Sequence, residues 1–325
     1  MSSPCARDSY KSNNQFVSQL DSLVMELRQL AYFVAVADEG NFTRAAATVH
    51  VAQPGVSAQI RHLERELGQD LLDRTGRSVR VTAAGAAVLP YARAALAAVA
   101  GARQAVEELT GLLRGHVTIG TLTSISSDQV DLPGLLAGFH HDHPGVDVTL
   151  TVANSEELVD ALRAGRLDLA LIGLGATTPA RIDTHILTSE PLVAVVSLRD
   201  PLAASTTITL HALAERTLIS LPRGTGLRSA LEQACAAAGF APHVTFEAGD
   251  PRVLAELAAR GLGVAVVPQS VAAARREQLH TLVITEPALQ GRIALAWRSN
   301  GPISPLARAL ITRAGARPPR SSAQQ

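Results

Sequence analysis

The 325-residue chain predicts a multidomain α plus α/β architecture, with a small N-terminal winged helix-turn-helix, a long linker helix and a larger α/β part. Three observations carry this prediction. Between residues 25 and 82, short helical runs are separated by turn chemistry and followed by two extended pieces about a glycine. From residue 82 to about 113 the chain is helix-rich, and from Val88 to Leu113 apolar residues alternate three- and four-residue spacings without a break. Beyond Gly115, strands rich in Val, Ile and Leu interleave with helical runs.

Composition bounds the rest. Apolar residues make up 47% of the chain and charged residues 18%, yet no run of eighteen continuous apolar residues occurs, so no membrane span is expected. Residues 1–24 (MSSPCARDSYKSNNQFVSQLDSLV) lack the basic start, apolar block and cleavage site of a signal peptide, and read as a disordered extension. Met25 is the expected initiator, with Met1 as the alternative. Two cysteines, Cys5 and Cys235, form no disulfide framework and no zinc spacing, which favours a reducing, cytoplasmic compartment. Basic and acidic residues balance at 29 each, so no global basic field announces nucleic acid and any such case rests on local patterning. The only lysine is Lys11; the other cationic side chains are arginines.

Taken in order, Leu27, Leu30, Ala31, Val34 and Ala37 recur at helical spacing and open the first helix. A turn at Gly40–Thr43 offers Asn41 and Thr43 as caps for a short helix from Arg44 to Val49. After a second turn, Pro54 sits at a helix start, where its missing N–H costs nothing, and opens a helix reaching Leu67 before Gly68. Val56, Ile60, Leu63 and Leu67 form its apolar stripe. Pro54, Ala58, Arg61 and Arg65 lie opposite, with Ser57 and Gln59 at the margins. Residues 73–81 read as a β-wing carrying Arg74, Arg77 and Arg80. Val88, Ala92, Ala95, Val99, Ala102, Val106, Leu109 and Leu113 then form one heptad seam suited to dimerisation. From Gly115, eight strand-like runs alternate with helices near 131–140, 155–165, 227–238, 251–260 and 304–314, which predicts a mainly parallel sheet.

The stretch MELRQLAYFVAVADEGNFTRAAATVHVAQPGVSAQIRHLERELGQDLLDRTGRSVRVTAAG, residues 25–85, strongly resembles the N-terminal domain of LysR-type transcriptional regulators. The resemblance extends more weakly through Phe139 and His143–Val146, Leu162 and Gly165–Ala170, and Gly261–Pro268, to about residue 315. It implies sequence-specific binding of an interrupted inverted repeat in double-stranded DNA by a homodimer or homotetramer, control by a small-molecule effector, and contact with RNA polymerase. In such regulators the third helix enters the major groove. Thr43, Gln53, Pro54, Ser57, Ala58, Arg61, Arg74 and Arg77 are then the DNA-binding candidates. Gln53 is suited to a base edge, Ser57 and Arg61 to phosphate or mixed contacts, and Arg74 and Arg77 to backbone or minor groove, while Arg80 is open to a structural role. Where many relatives carry a long polar side chain, this chain has Ala58, which leaves only an apolar contact such as a thymine methyl. Residues 25–82 hold seven Arg against seven Asp and Glu, so phosphate neutralisation depends on placement and avidity.

The C-terminal part resembles the type 2 periplasmic-binding-protein fold, a two-lobed α/β effector domain. The expected division is 25–82 for the head, 83–114 for the linker helix, 115–187 with 301–318 for lobe I, 188–300 for lobe II, and a disordered tail over 319–325. Effector-binding candidates are Thr121, Thr123 and Ser124 after the first strand, Asn154 and Ser155 at the next turn, and Arg223, Thr225 and Asp250 before two lobe II helices. Free N–H groups at such helix starts hold anions, so a carboxylate is the natural effector. Helix capping competes as the role of the Ser, Thr and Asp residues, and Arg223 is either solvent-facing or a ligand clamp. His140, His141, Asp142 and His143 point apart on a helix, so no metal is expected there, nor any cofactor. Cys235 lacks a resolving partner and reads as core rather than a redox sensor. Two partial glycine motifs, at 224–226 and 261–263, lack the third glycine of a dinucleotide fingerprint, and no catalytic motif is visible, so an enzyme is not expected.

Overall fold

The computed structural model describes residues 25–76, 78–109, 113–123, 130–175, 177–299 and 303–316. The chain divides between Val99 and Ala100 into two compact bodies.

The first body is built on helical periodicity. Helix α1 (Leu27–Glu39) ends at Gly40, whose left-handed φ of 58° suits a residue without Cβ. Asn41 caps α2 (Phe42–Thr48), accepting the N–H groups of Thr43 and Arg44 at 2.8 and 3.1 Å. Helix α3 spans Gln53–Leu67 and stops at Gly68, also left-handed. Phe33, Val36, Val56, Ile60, Leu63 and Leu71 are wholly buried and form one core. Each such side chain contributes roughly 1.5–3 kcal/mol by leaving water. A hairpin of β1 (Leu72–Asp73) and β2 (Arg80–Val81) makes the wing, shorter than its sequence suggested, with Leu72 opposite Val81 and Asp73 opposite Arg80.

Helix α4 runs Ala83–Leu109 and starts against the wing, where a Cβ on Gly85 would fall 2.1 Å from the Leu71 carbonyl oxygen. The single heptad seam read from the sequence divides in the structure. Ala92 is buried in the core of the first body, with Val88 and Ala95 packed against it. Val99 and Val106 are exposed. Leu113 lies beyond the helix, in the core of the second body. The side chain of Leu109 falls outside the described residues. By length and composition α4 is apolar enough to cross a membrane. Its apolarity comes largely from alanine, and Arg93 in its middle pairs with Asp38 of α1.

The second body holds one ten-stranded sheet, β4-β3-β5-β12-β6-β10-β8-β9, with β11 on β6 and β7 on β11. Lobe I contains β3 (Gly115–Thr121), β4 (Val146–Val152) and β5 (Leu169–Leu174), with helices α5 (Leu132–Asp142), α6 (Ser155–Arg163) and the late α10 (Pro305–Arg313). Lobe II contains β7 (Thr207–Thr209), β8 (Leu218–Ser220), β9 (Val244–Glu247), β10 (Val264–Pro268) and β11 (Leu279–Thr285). Its helices are α7 (Gly226–Ala237), α8 (Pro251–Ala259) and α9 (Gln269–Ala273). The lobes share two through-strands, β6 (Ile182–Ser197) and β12 (Leu289–Arg298). Strand β6 pairs with β12 along Ile182–Leu192 and then with β10 and β11. At about 3.3 Å per residue its sixteen residues run about 50 Å, so the expected division at residue 187 falls inside a continuous strand.

The sheet is mixed rather than mainly parallel. Pairs β3/β4, β3/β5, β8/β9, β8/β10 and β7/β11 are parallel, whereas β6 and β12 pair antiparallel with each other and with their remaining neighbours. Both faces are covered, and alternation shows it: Val193 and Val195 enter one lobe II core while Ala194 and Val196 enter the other.

Candidate nucleic-acid interface and ligand cleft

In the first body, α3 is fixed from beneath. Buried Gln29 of α1 donates its amide N–H to His62 Nδ1 at 2.9 Å and reaches Gln59 Oε1 at 3.5 Å. Glu64, 7% exposed, accepts the backbone N–H groups of Leu71 and Leu72 at 3.0 and 3.2 Å and an Arg74 guanidinium N–H at 2.5 Å. The guanidinium of Arg74 also lies over the Phe42 ring, 5.3 Å from its centre. One buried carboxylate therefore ties α3 to the wing. On the wing, the Thr75 hydroxyl and N–H, at 2.6 and 2.9 Å, hold the Asp73 carboxyl below its ordinary pKa, with Arg80 adding to the effect. With Val56, Ile60 and Leu63 buried, the other side of α3 presents Gln53, Pro54, Ala58, Arg61 and Arg65 to solvent, and Ser57 is half-buried. No side chain caps the first turn of α3, because Ala52 occupies the cap position. The helix thus begins with a positive dipole end beside Gln53.

In the second body, a cavity of about 350 Å³ opens between the lobes. Leu122 and Thr123 enter it from the end of β3, Asn154 and Ser155 from the start of α6, and Thr225, Gly226 and Leu227 from the start of α7. Thr188, Glu190 and Arg292 enter from the through-strands. The site lies where strands end and helices begin, as in open α/β sheets generally. Asn154 caps α6, accepting Glu157 N–H at 3.0 Å, while the Glu157 carboxylate accepts the Asn154 N–H at 3.2 Å. Ser155 Oγ accepts the Gly173 N–H at 3.0 Å. The lobes touch here: Glu156 N–H donates to the Gly224 carbonyl at 3.0 Å, and a Cβ on Gly226 would fall 2.2 Å from the carbonyl carbon of Gly173.

Two family models match this chain. Residues 27–86 match the bacterial regulatory helix-turn-helix protein, lysR family, and residues 110–318 match the LysR substrate binding domain. The chain belongs to the LysR family. Among curated relatives of this LysR regulator, ShiR of Corynebacterium glutamicum is 36% identical over 276 residues, covering 84% of this chain and 92% of that one. GltC of Bacillus subtilis, a transcriptional dual regulator, is 34% identical over 246 residues, covering 76% and 81%. A full-length OxyR variant from Pseudomonas aeruginosa superposes with a TM-score of 0.70 at 27% identity, covering 90% of this chain and 94% of that one. Full-length CbnR complexed with its target DNA gives 0.54 at 27% identity, covering 90% and 99%. This LysR regulator is a DNA-binding transcriptional regulator with a winged helix-turn-helix and a two-lobed effector-binding domain.

The structure distributes the residues singled out from the sequence unevenly. Thr43, Gln53, Pro54, Ala58 and Arg61 are exposed and Ser57 partly so. Arg74 is engaged by Glu64, its side chain 32% exposed, which gives it a bracing role in the head. Arg77 and Ser124 lie outside the described residues. In the cleft, Thr123, Asn154, Ser155 and Thr225 line the cavity. Thr121 does not; it is buried at the end of β3, and its carbonyl accepts the Ala153 N–H. Arg223 is 82% exposed and pairs with Glu232 at 3.4 Å, so it faces solvent. Asp250 caps α8 through Arg252 N–H at 2.8 Å and is gripped by the Arg252 guanidinium, whose hydrogen bond holds the carboxyl low; its neighbours Gly249 and Pro251 line the cavity instead. Of the histidine cluster, Asp142 pairs with Arg313 and His143 packs on Phe139. Cys235 is wholly buried in lobe II, and burial pushes its thiol up to about 11.

Thr188, Glu190 and Arg292 escaped the sequence reading. Strand β6 before Pro191 reads IDTHILTSE, too polar for a buried strand, and Arg292 opens an otherwise apolar run. A charged residue inside a strand-like run was the one available signal.

Proposed function

We propose that this LysR regulator binds an interrupted inverted repeat as a dimer of dimers, and that an effector held in the interlobe cavity changes lobe or dimer geometry and so the spacing of DNA contacts. The carrying observation is the coexistence, in one chain, of an outward-facing α3 and a cavity where both lobes meet on shared strands. Gln53 reads a base edge, Ser57 and Arg61 contact phosphates, Ala58 offers its methyl group, and Arg77 of the wing reaches the backbone or minor groove. Thr123, Asn154, Ser155 and Thr225 orient the effector, a small carboxylate. The exposed Val99 and Val106 support self-association along the later part of α4. The chain works in the cytoplasm, alongside RNA polymerase, as a binding protein rather than an enzyme. Effector and DNA geometry are then linked, each biasing the other's affinity.

Binding of the full-length protein to DNA immediately upstream of its own gene, against scrambled DNA across a salt series, tests this. Tighter binding to the upstream DNA, lost in Gln53→Ala, is expected. Equal, steeply salt-dependent binding to both DNAs would reduce the interaction to backbone electrostatics.

A further inference from the structure

The charge inventory of the cavity is lopsided in an informative way. Among the described lining residues Arg292 is the single cation, against two carboxylates, Glu157 and Glu190. Both carboxylates have partners on the protein: Glu157 accepts the Asn154 N–H, and Glu190 accepts the N–H and hydroxyl of Ser270 at 2.8 and 3.1 Å. Arg292 has no carboxylate partner among the described residues. One terminal nitrogen donates to the Gly175 carbonyl, and Nε is buried with no acceptor. A buried guanidinium N–H without an acceptor is costly, and an anionic ligand that accepts from it removes that cost.

The backbone beside Arg292 points the same way. Arg292 stands opposite Leu174 in the β12/β5 pair, one step from Gly173, and Gly173 lies against Gly226 at the first position of α7. That twelve-residue helix has no side-chain cap, because the Thr225 hydroxyl donates to the Pro222 carbonyl instead. Its positive dipole end therefore opens on the same stretch of cavity wall, where Gly226 and Leu227 are lining residues. The opposing carboxylates repel a second negative charge and accept hydrogen bonds from donors. At about 350 Å³ the cavity sits at the small end of ligand sites.

We propose that Arg292 is the specificity-determining residue of the cleft, selecting a small monocarboxylate that carries hydroxyl or other donor groups, its carboxylate on the guanidinium and its donors toward Glu157 and Glu190. This rests on the reading that the effector binds between the lobes.

The test is isothermal titration of the full-length protein with benzoate, cyclohexanecarboxylate and their mono-, di- and trihydroxylated derivatives. Each is run beside its carboxamide and a ring dicarboxylate. At least one hydroxylated monocarboxylate is expected to bind, with its carboxamide and the dicarboxylate at least tenfold weaker. Arg292→Gln is expected to lower that affinity at least tenfold, and Arg292→Lys to recover part of it. The assignment is overturned if no monocarboxylate binds at millimolar concentration, if amides or dicarboxylates bind as well, or if Arg292→Gln binds normally. Ser155→Ala with Thr225→Val separates the two readings. Binding lost in that double variant but kept in Arg292→Gln leaves the cleft standing and removes the charge assignment; binding unchanged in both places the ligand elsewhere.

Discussion

In the head, the side chains proposed to meet DNA come mainly from one fifteen-residue helix and face outward, whereas those lining the interlobe cavity come from segments scattered between residues 122 and 293 and face inward. A convex surface needs only a helix with one buried stripe, so its functional residues are whatever the stripe leaves over. A concave one exists only after two lobes have closed on shared strands. The two regions also treat charge differently. Glu64 in the head is saturated by three donors, while Arg292 in the cleft keeps a buried donor without an acceptor. The saturated group holds structure, and the unsaturated one is the group on which the ligand proposal rests.

Replacing Glu64 with Ala strikes this contrast hardest. Two backbone N–H groups and Arg74 lose their acceptor, and a cost of about 2–4 kcal/mol is expected, below that of a fully buried pair because about a third of Arg74 is exposed. Chemical denaturation should show the head destabilised and DNA binding lost, with ligand binding in the second body retained. A head as stable as the wild type would mean that the carboxylate does not brace the wing.

Gly226→Ala probes the cleft in the opposite way, by adding an atom. Its Cβ would meet Gly173 at 2.2–2.6 Å, so α7 must withdraw from β5, at about 1–3 kcal/mol of overpacking. Ligand affinity and the melting temperature of the second body should fall while the head's intrinsic DNA contacts persist. An unchanged ligand isotherm would show that the lobes need not touch there to bind.

On the exposed face of α3, Gln53→Ala is expected to cost about 1–3 kcal/mol of discrimination between operator and scrambled DNA. Arg61→Ala should weaken binding to both and lower the salt slope by about 1. If the two variants behaved alike, the division into base reader and phosphate contact would fail.

The smallest effect is expected at Cys235, where a thiol pushed from 9.0 up to about 11 should resist Ellman's reagent at pH 8 until the protein unfolds. Because the unfolded thiol ionises first, this group's contribution to stability is fully present below pH 9 and falls as pH rises to about 11. Rapid labelling of the folded protein would contradict its burial.

Particular elements show where reading the chain succeeded. Asn41, Pro54 and the glycines at 40 and 68 announce their helices because capping and left-handed backbone are local requirements. The seam at Val88–Leu113 looks like one object because periodicity is blind to partner; the structure assigns its start to the head core and its end to lobe I. The cleft was half legible. Thr123, Asn154, Ser155 and Thr225 sit at strand-to-helix turns that the sequence marks, whereas Thr188, Glu190 and Arg292 lie within strands whose pairing spans about a hundred residues.

The sequence alone determined the helix-turn-helix, its outward face and the alternation of strands and helices that follows, since each depends on contacts within a few turns of chain. Only the tertiary structure decided that Arg74 pairs with Glu64, that Arg223 and Asp250 stand off the cavity, and that Arg292 enters it. Those outcomes depend on which distant carboxylate, carbonyl or glycine comes to lie alongside, and sequence spacing carries no record of that.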